Sequence, residues 1–185
     1  DAQVWLADIP FVRLKDAVKD KHQLKSDDSF SQVVHKINES FNDVRVKILL
    51  HSYEIIVNEK FVIKDLPPRE FAMFHWFADR RKNGLEGIIA PNKNITSKDA
   101  GPDDFKKIKE LTQEFSSYYA ELKNISDNGL NVDKKFFESV KSKLKESLET
   151  HLGLELASKI SITQENRGKP FYLSLQAENI EIIDN

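Results

Sequence analysis

Two stretches decide the fold predicted for this chain: residues 132–153, VDKKFFESVKSKLKESLETHLG, and residues 160–175, ISITQENRGKPFYLSL. In the first, apolar residues recur every three or four positions, which is the spacing of one face of an α-helix. These residues are Phe136, Phe137, Val140, Leu144, Leu148 and Leu152. The pattern predicts an amphipathic helix over residues 133–152 that ends at Gly153, because glycine favours helix C-terminal caps.

The second stretch has the pattern of a β-hairpin. Two β-rich runs, residues 160–163 and 171–175, flank residues 164–170, which include Gly168. Such runs joined by a short glycine-containing loop predict paired antiparallel strands. The loop carries Arg167 and Lys169, so the hairpin has a basic tip.

A strand meander precedes the helices. Residues 44–51, Glu54–Val57 and Phe61–Ile63 are rich in β-branched residues, and residues 58–60, Asn-Glu-Lys, suit a tight turn between the last two runs. Pro67 and Pro68 then end the sheet and open an aromatic-rich helix over residues 68–83.

The remaining residues complete the predicted order. Residues 85–101 lack periodicity and predict a long surface loop, and residues 103–123 predict a second helix. Residues 176–183 form an acidic tail that can add one more strand. The order of meander, helix, loop, two helices and hairpin predicts an α+β fold, specifically a winged helix over residues 44–185.

Residues 1–43 are interpreted separately. Residues 3–14 predict a strand interrupted by Pro10, and residues 28–41 predict a helix. The sequence opens on an apolar run without an initiator methionine. We therefore expect residues 1–43 to be the end of, or a linker from, an N-terminal domain that this sequence does not contain.

Composition narrows the classes of function. The 185 residues carry a formal net charge of −2, so any basic surface is local. Cysteine is absent, which excludes disulfides and thiolate metal sites and suits the cytoplasm. No apolar run approaches the length of a membrane span, and we expect no membrane partner.

The predicted helix and hairpin supply candidate nucleic-acid-binding residues, because lysine and arginine pair with phosphates. The candidates are Lys134, Lys135, Lys141, Lys143, Lys145, Arg167 and Lys169. The alternative is a solvated helix face, since Glu138, Glu146 and Glu149 lie among the lysines. Residues 133–150 also contain no Arg, Asn or Gln, the side chains that most often read base edges.

The sequence gives little support for a ribonuclease site, a metal site or another catalytic motif. Arg45 and His51 have the spacing of a ribonuclease pair, but on a strand they lie about 20 Å apart at roughly 3.3 Å per residue. The five histidines show no metal-ligand spacing, and no nucleophile elbow or phosphate-binding glycine loop is present. We expect no catalytic residues, no metal and no cofactor in this chain.

The first resemblance covers residues 44–175. The run Ile63-Lys64-Asp65-Leu66-Pro67-Pro68-Arg69-Glu70-Phe71, the Val132-Asp133 start of the basic helix, and the wing-like Arg167-Gly168-Lys169-Pro170-Phe171-Tyr172-Leu173 are similar to the winged-helix output domains of bacterial response regulators. The chain departs from that pattern at Pro170, where those domains have a second wing glycine, and in its longer loop at residues 85–101.

The second resemblance rests on residues 7–14, ADIPFVRL, together with residues 66–72, LPPREFA. These segments resemble a CRISPR-associated family whose members carry an N-terminal Rossmann-like CARF domain related to ring nucleases. The resemblance implies a non-catalytic effector or regulatory winged-helix domain in antiviral defence, with DNA and the CARF domain as partners. It also implies a homodimer. Trp76, on the aromatic stripe of the helix at residues 68–83, is the candidate residue for a subunit or interdomain contact, and the alternative is that the stripe belongs to the core.

The alternative under the same resemblance is a different class of function. In it, the chain is a structural and dimerisation module that supports a cyclic-oligoadenylate-cleaving domain absent from this sequence. Any ring-cleaving residues belong to that domain, so none is assigned here.

Overall fold

The computed structural model describes residues 44–120 and 129–184. They belong to the second of two units into which the chain divides, residues 44–185. The predicted strand at residues 3–14, the helix at 28–41 and the domain assigned to residues 1–43 lie outside the described residues. The elements are β1 (Val46–Leu49), β2 (Glu54–Val57), β3 (Phe61–Ile63), α1 (Pro68–Lys82), α2 (Pro102–Ala120), α3 (Lys134–Leu152), α4 (Leu154–Lys159), β4 (Ile162–Gln164), β5 (Phe171–Leu173), a 3₁₀ turn (Ala177–Asn179) and β6 (Ile180–Ile183).

The predicted meander is present as three antiparallel strands. Val46 pairs with Val57 across β1 and β2, and Val57 pairs with Phe61 across β2 and β3. Asn58 and Glu59 have φ values of 52° and 55°, the left-handed conformation that a tight hairpin turn requires. β1 is shorter than predicted, because residues 50–53 turn the chain towards β2.

The tail adds a fourth strand to this sheet. β6 lies parallel to β1, with Val46 opposite Ile180, and the strand order is β3-β2-β1-β6. Ile48 and Ile55 are fully buried on one face, whereas Lys47 and Glu181 form an ion pair of 3.2 Å on the other. The alternation of buried and exposed residues is that of a sheet with one face against the core.

Helix α1 forms the centre of the core. Residues 70–78 are all buried, so the helix is covered all round rather than along one stripe. Tyr53 in the β1–β2 turn meets the ring of Phe71 edge-on at 5.9 Å, which joins the sheet to α1. On the other side, Phe77 of α1 lies 6.2 Å from Phe137 of α3.

The hairpin is present with shifted bounds. Ile162 pairs with Leu173 and Gln164 with Phe171. The first strand begins two residues later than predicted, because Ile160 is the C-terminal cap of the short helix α4 and its N–H donates to the Ala157 carbonyl. Gly153, at φ 78°, separates α3 from α4.

The loop at residues 85–101 is joined to the hairpin by backbone pairing. The backbone N–H of Ile88 donates to the carbonyl of Phe171 at 2.8 Å, and the backbone N–H of Phe171 donates to the carbonyl of Ile88 at 2.8 Å. A Cβ on Gly87 would lie 2.5 Å from the carbonyl oxygen of Phe171, so only glycine fits this approach. Part of the predicted surface loop is therefore a third strand-like segment of the hairpin.

The mixed α+β class is confirmed by this arrangement of sheet, helices and hairpin. Across residues 44–120 and 129–184, none of the helices combines the length and apolarity needed to cross a membrane.

Candidate nucleic-acid interface

Helix α3 is fixed by its apolar side. Phe137, Val140, Leu144 and Leu148 are buried, as the sequence pattern predicts. A polar contact adds to this packing, since the Ser147 hydroxyl donates to the buried carboxylate of Glu70 on α1 at 2.7 Å. The opposite side of α3 remains at the surface.

The N-terminus of α3 is capped from within the chain. The Asp133 carboxylate accepts from the backbone N–H of Phe136 at 2.9 Å, which is an N-cap. The Asn94 side chain accepts from the N–H of Lys135 at 2.9 Å, and the Lys93 carbonyl accepts from the N–H of Lys134 at 3.1 Å. The amides of the first helical turn therefore have protein partners and are not free to bind a phosphate.

Asp133 also fixes the loop that does this capping. Its second carboxylate oxygen accepts from the backbone N–H of Ile95 at 3.2 Å, and the Ser97 hydroxyl accepts from the N–H of Asn94 at 3.1 Å. Lys93 forms an exposed ion pair with Asp99. Residues 93–99 are thus bound to the start of α3, a role that sequence reasoning missed.

The five candidate lysines of α3 do not form one surface. At about 100° per residue, Lys134, Lys141 and Lys145 fall within an arc of about 40°. Lys143 lies about 180° from Lys134, and Lys135 lies about 100° away. We call Lys134, Lys141 and Lys145 the hairpin-side lysines, because Lys141 contacts the hairpin. The seven-residue spacing of Lys134 and Lys141 is the sequence signal that distinguishes them.

Phe171 joins α3 to the hairpin. Its ring lies 5.4 Å from that of Phe137, and the Lys141 Nζ lies 5.1 Å from the Phe171 ring centroid. Arg167 and Lys169 are exposed at the hairpin tip, next to Gly168 at φ 83°. Arg167 and Lys169 thus belong to the same hairpin that Lys141 contacts.

Carboxylates share this surface. Glu149 forms an ion pair of 3.6 Å with Lys145, and Glu138 lies about 40° from Lys134 around the helix. Exposed pairs of this kind are weak. They lower the net positive charge without removing the lysines from reach of a partner.

A cleft of about 750 Å³ lies between the hairpin and the end of α1. Arg81 lines this cleft. Its Nε donates to the Leu175 carbonyl at 2.7 Å, and its guanidinium lies 5.7 Å from the Tyr172 ring centroid. Arg80 donates to the Glu86 carbonyl at 2.7 Å and forms an ion pair with Glu114 of α2. Sequence reasoning gave these arginines only a helix-dipole role, but they also hold the hairpin and α2 against α1.

A partly buried polar cluster connects α1 with α2. The Tyr118 hydroxyl donates to the Asp79 carboxylate at 2.8 Å, and the His75 ring meets the Tyr118 ring edge-on at 5.0 Å. Burial lowers the pKa of His75 below its usual 6.5, and burial together with the Asp79 hydrogen bond raises the pKa of Tyr118. No group of His, Asp or Glu able to hold a metal ion occurs within the described ranges.

The remaining candidates from the sequence are Trp76 and the pair Arg45 and His51. Trp76, the predicted interface residue, is 0% exposed and lies 5.6 Å from the rings of both Phe77 and Phe115. It is therefore a core residue of this unit, with no surface left for a subunit contact. Arg45 and His51 lie before and after β1, so the strand separates them and they form no joint site.

Comparisons with known proteins give no assignment. No protein-family model, curated protein or solved structure matches this chain.

Proposed function

We propose that residues 44–184 form a winged-helix module that binds DNA through α3 and the β4–β5 hairpin. In this proposal the module is a non-catalytic regulatory part of a CRISPR-associated CARF protein in antiviral defence. The observation that carries it is the packing of the hairpin against α3 through Phe171, with Phe137 at 5.4 Å and Lys141 at 5.1 Å from its ring. A helix with a hairpin fixed beside it is the arrangement by which winged helices place a helix and a wing on a duplex.

The position of the basic side chains supports the DNA partner. Lys134 and Lys145 are exposed on α3, and Arg167 and Lys169 are exposed on the hairpin tip. Lysine and arginine contribute most protein–DNA affinity through the phosphates. Because the net charge of −2 gives the chain no general attraction to DNA, binding depends on a local basic surface of this kind.

The membership of the CARF family rests on the motif resemblances at residues 7–14 and 66–72. The regulatory role follows from that resemblance. We assign no catalytic residue to the surface formed by α3 and the hairpin. A CARF partner domain and a homodimer belong to the same proposal.

The test is duplex binding by the full chain, measured by fluorescence anisotropy at low salt. We expect the wild-type chain to bind and the Lys141→Gln/Lys169→Gln variant to bind at least about tenfold more weakly, because two phosphate contacts are lost. Circular dichroism checks that the variant is folded. Absence of binding by the wild type, or unchanged binding by the folded variant, would overturn the proposal.

A second candidate function is the structural and dimerisation module. The observation that favours it is the exposure of apolar side chains around the loop after α1, since Leu85 is 54% and Ile89 46% exposed. Exposed apolar residues grouped in one segment are typical of protein contact sites. Sedimentation of the full chain distinguishes the two: a concentration-dependent dimer that a Leu85→Ser/Ile89→Ser variant abolishes supports the module, and a monomer at high concentration contradicts it.

A further inference from the structure

We infer that this surface takes duplex DNA irrespective of its base sequence, and that the hairpin-side lysines carry the contact while Lys135 and Lys143 do not. The inference rests on the proposed function and names the partner more closely. It follows from three features of α3: its capped N-terminus, the chemistry of its exposed side chains and the arc on which its lysines lie.

The capped N-terminus limits how α3 approaches DNA. Recognition helices commonly reach base edges with their N-terminal residues. Here the residues at that end are bonded to residues 93–95, with Lys135 held by Asn94 and Asp133 held by Ile95. The loop therefore lies at the leading end of the helix, where an inserted helix would meet the bases.

The exposed side chains of α3 include no planar fork or amide group. Arginine, Asn and Gln make the best-defined bidentate contacts with base edges, and residues 133–150 contain none of them. The ammonium groups that are present act as point charges, which suit phosphate oxygens. Binding by these groups depends on the duplex backbone and not on its sequence.

The arc of the lysines selects which of them face the duplex. Lys141 lies against Phe171, so the side of α3 that carries the hairpin-side lysines is the side beside the wing. These lysines span about 16 Å of helix at 1.5 Å per residue. Lys143 lies about 180° from Lys134 around the helix and therefore on the side turned away from the wing.

The experiment compares two double variants of the full chain that change the net charge equally. Lys141→Gln/Lys145→Gln removes two hairpin-side lysines, and Lys135→Gln/Lys143→Gln removes two others from the same helix. In anisotropy titrations with one duplex at low salt, we expect the first variant to bind at least about tenfold more weakly and the second to change by less than about twofold. Equal losses in the two folded variants would overturn the assignment of the lysines.

Sequence independence is tested with the wild-type chain and a randomised duplex pool. We expect the retained fraction, once sequenced, to show no enriched motif, and the matching single strand to bind more weakly than the duplex. An enriched motif, or tighter binding of the single strand, would overturn this inference while leaving DNA binding in place. Failure of the wild type to bind any duplex would instead overturn the proposed function, and the inference with it.

Discussion

The Lys141 ammonium lies 5.1 Å from the centroid of the Phe171 ring and joins α3 to the β4–β5 hairpin. Phe171 is also the residue whose backbone pairs with Ile88 and whose ring meets Phe137. One residue thus connects the loop after α1, the hairpin and α3. The position of the β4–β5 hairpin relative to α3 depends on it.

Phe171→Ala is expected to lower the free energy of unfolding by about 2 kcal/mol, less than for a fully buried phenylalanine because the ring is half-buried. Urea denaturation measures this loss. Phe171→Leu keeps most of the apolar volume and should lose about half as much. A loss below about 0.5 kcal/mol for the alanine variant would show that the ring does not fix the hairpin.

Asp133→Ala is expected to cost about 1–2 kcal/mol of stability, because one carboxylate caps α3 through Phe136 and also holds the N–H of Ile95. Ser139→Ala, at an exposed position of the same helix, serves as the control and should change stability by less than about 0.5 kcal/mol. Denaturant midpoints compare the two variants. Equal effects would contradict the capping role.

Arg81→Lys is expected to loosen the hairpin while keeping the charge, because lysine cannot reproduce the Nε bond to the Leu175 carbonyl or the guanidinium contact with the Tyr172 ring. Hydrogen exchange measured by mass spectrometry should become faster in peptides that cover residues 162–175. Lys82→Arg, one residue further along α1, is the matched control. Unchanged exchange in the Arg81 variant would argue against this anchoring.

His75 makes stability depend on pH. Its pKa is lowered in the folded chain because burial disfavours the charged ring, so the unfolded chain binds the proton more readily. This contribution is complete above the unfolded pKa of 6.5 and is lost as pH falls towards the folded pKa. Thermal midpoints should therefore drop as the pH falls below about 6.5.

The His75→Phe variant separates this effect from other titrations. Phenylalanine keeps a ring beside Tyr118 but cannot take a proton, so its thermal midpoint should vary less over the same pH range. An identical slope in the variant and the wild type would assign the pH dependence to other groups.

Local patterns in the sequence were sufficient for much of the fold. The bounds of β2 and β3 agree with the prediction, because the β-branched runs and the turn at Asn58 are local features. The bonds from Asn94 to Lys135 and from Arg81 to Leu175 could not be predicted, since they join residues 41 and 94 positions apart. Helix α4 was missed because six residues are too few for a clear period.

The candidate site was predicted only as a set of residues. The sequence identified the lysines of α3 and the cations at Arg167 and Lys169, but not that Phe171 would bring Lys141 to the hairpin. For Trp76 the sequence left a core position and an interface position both open, because an aromatic stripe has the same pattern in either. Its burial between Phe77 and Phe115 depends on how α1 and α2 pack.

The salt dependence of duplex binding tests the central claim most directly. If Lys134, Lys141, Lys145, Arg167 and Lys169 all contact phosphates, the slope of log affinity against log salt should be about −4 to −5. In the Lys141→Gln/Lys145→Gln variant the slope should become less steep by about 2. A wild-type chain that binds no duplex at low salt, or binds with a slope near zero, would contradict DNA binding by α3 and the hairpin.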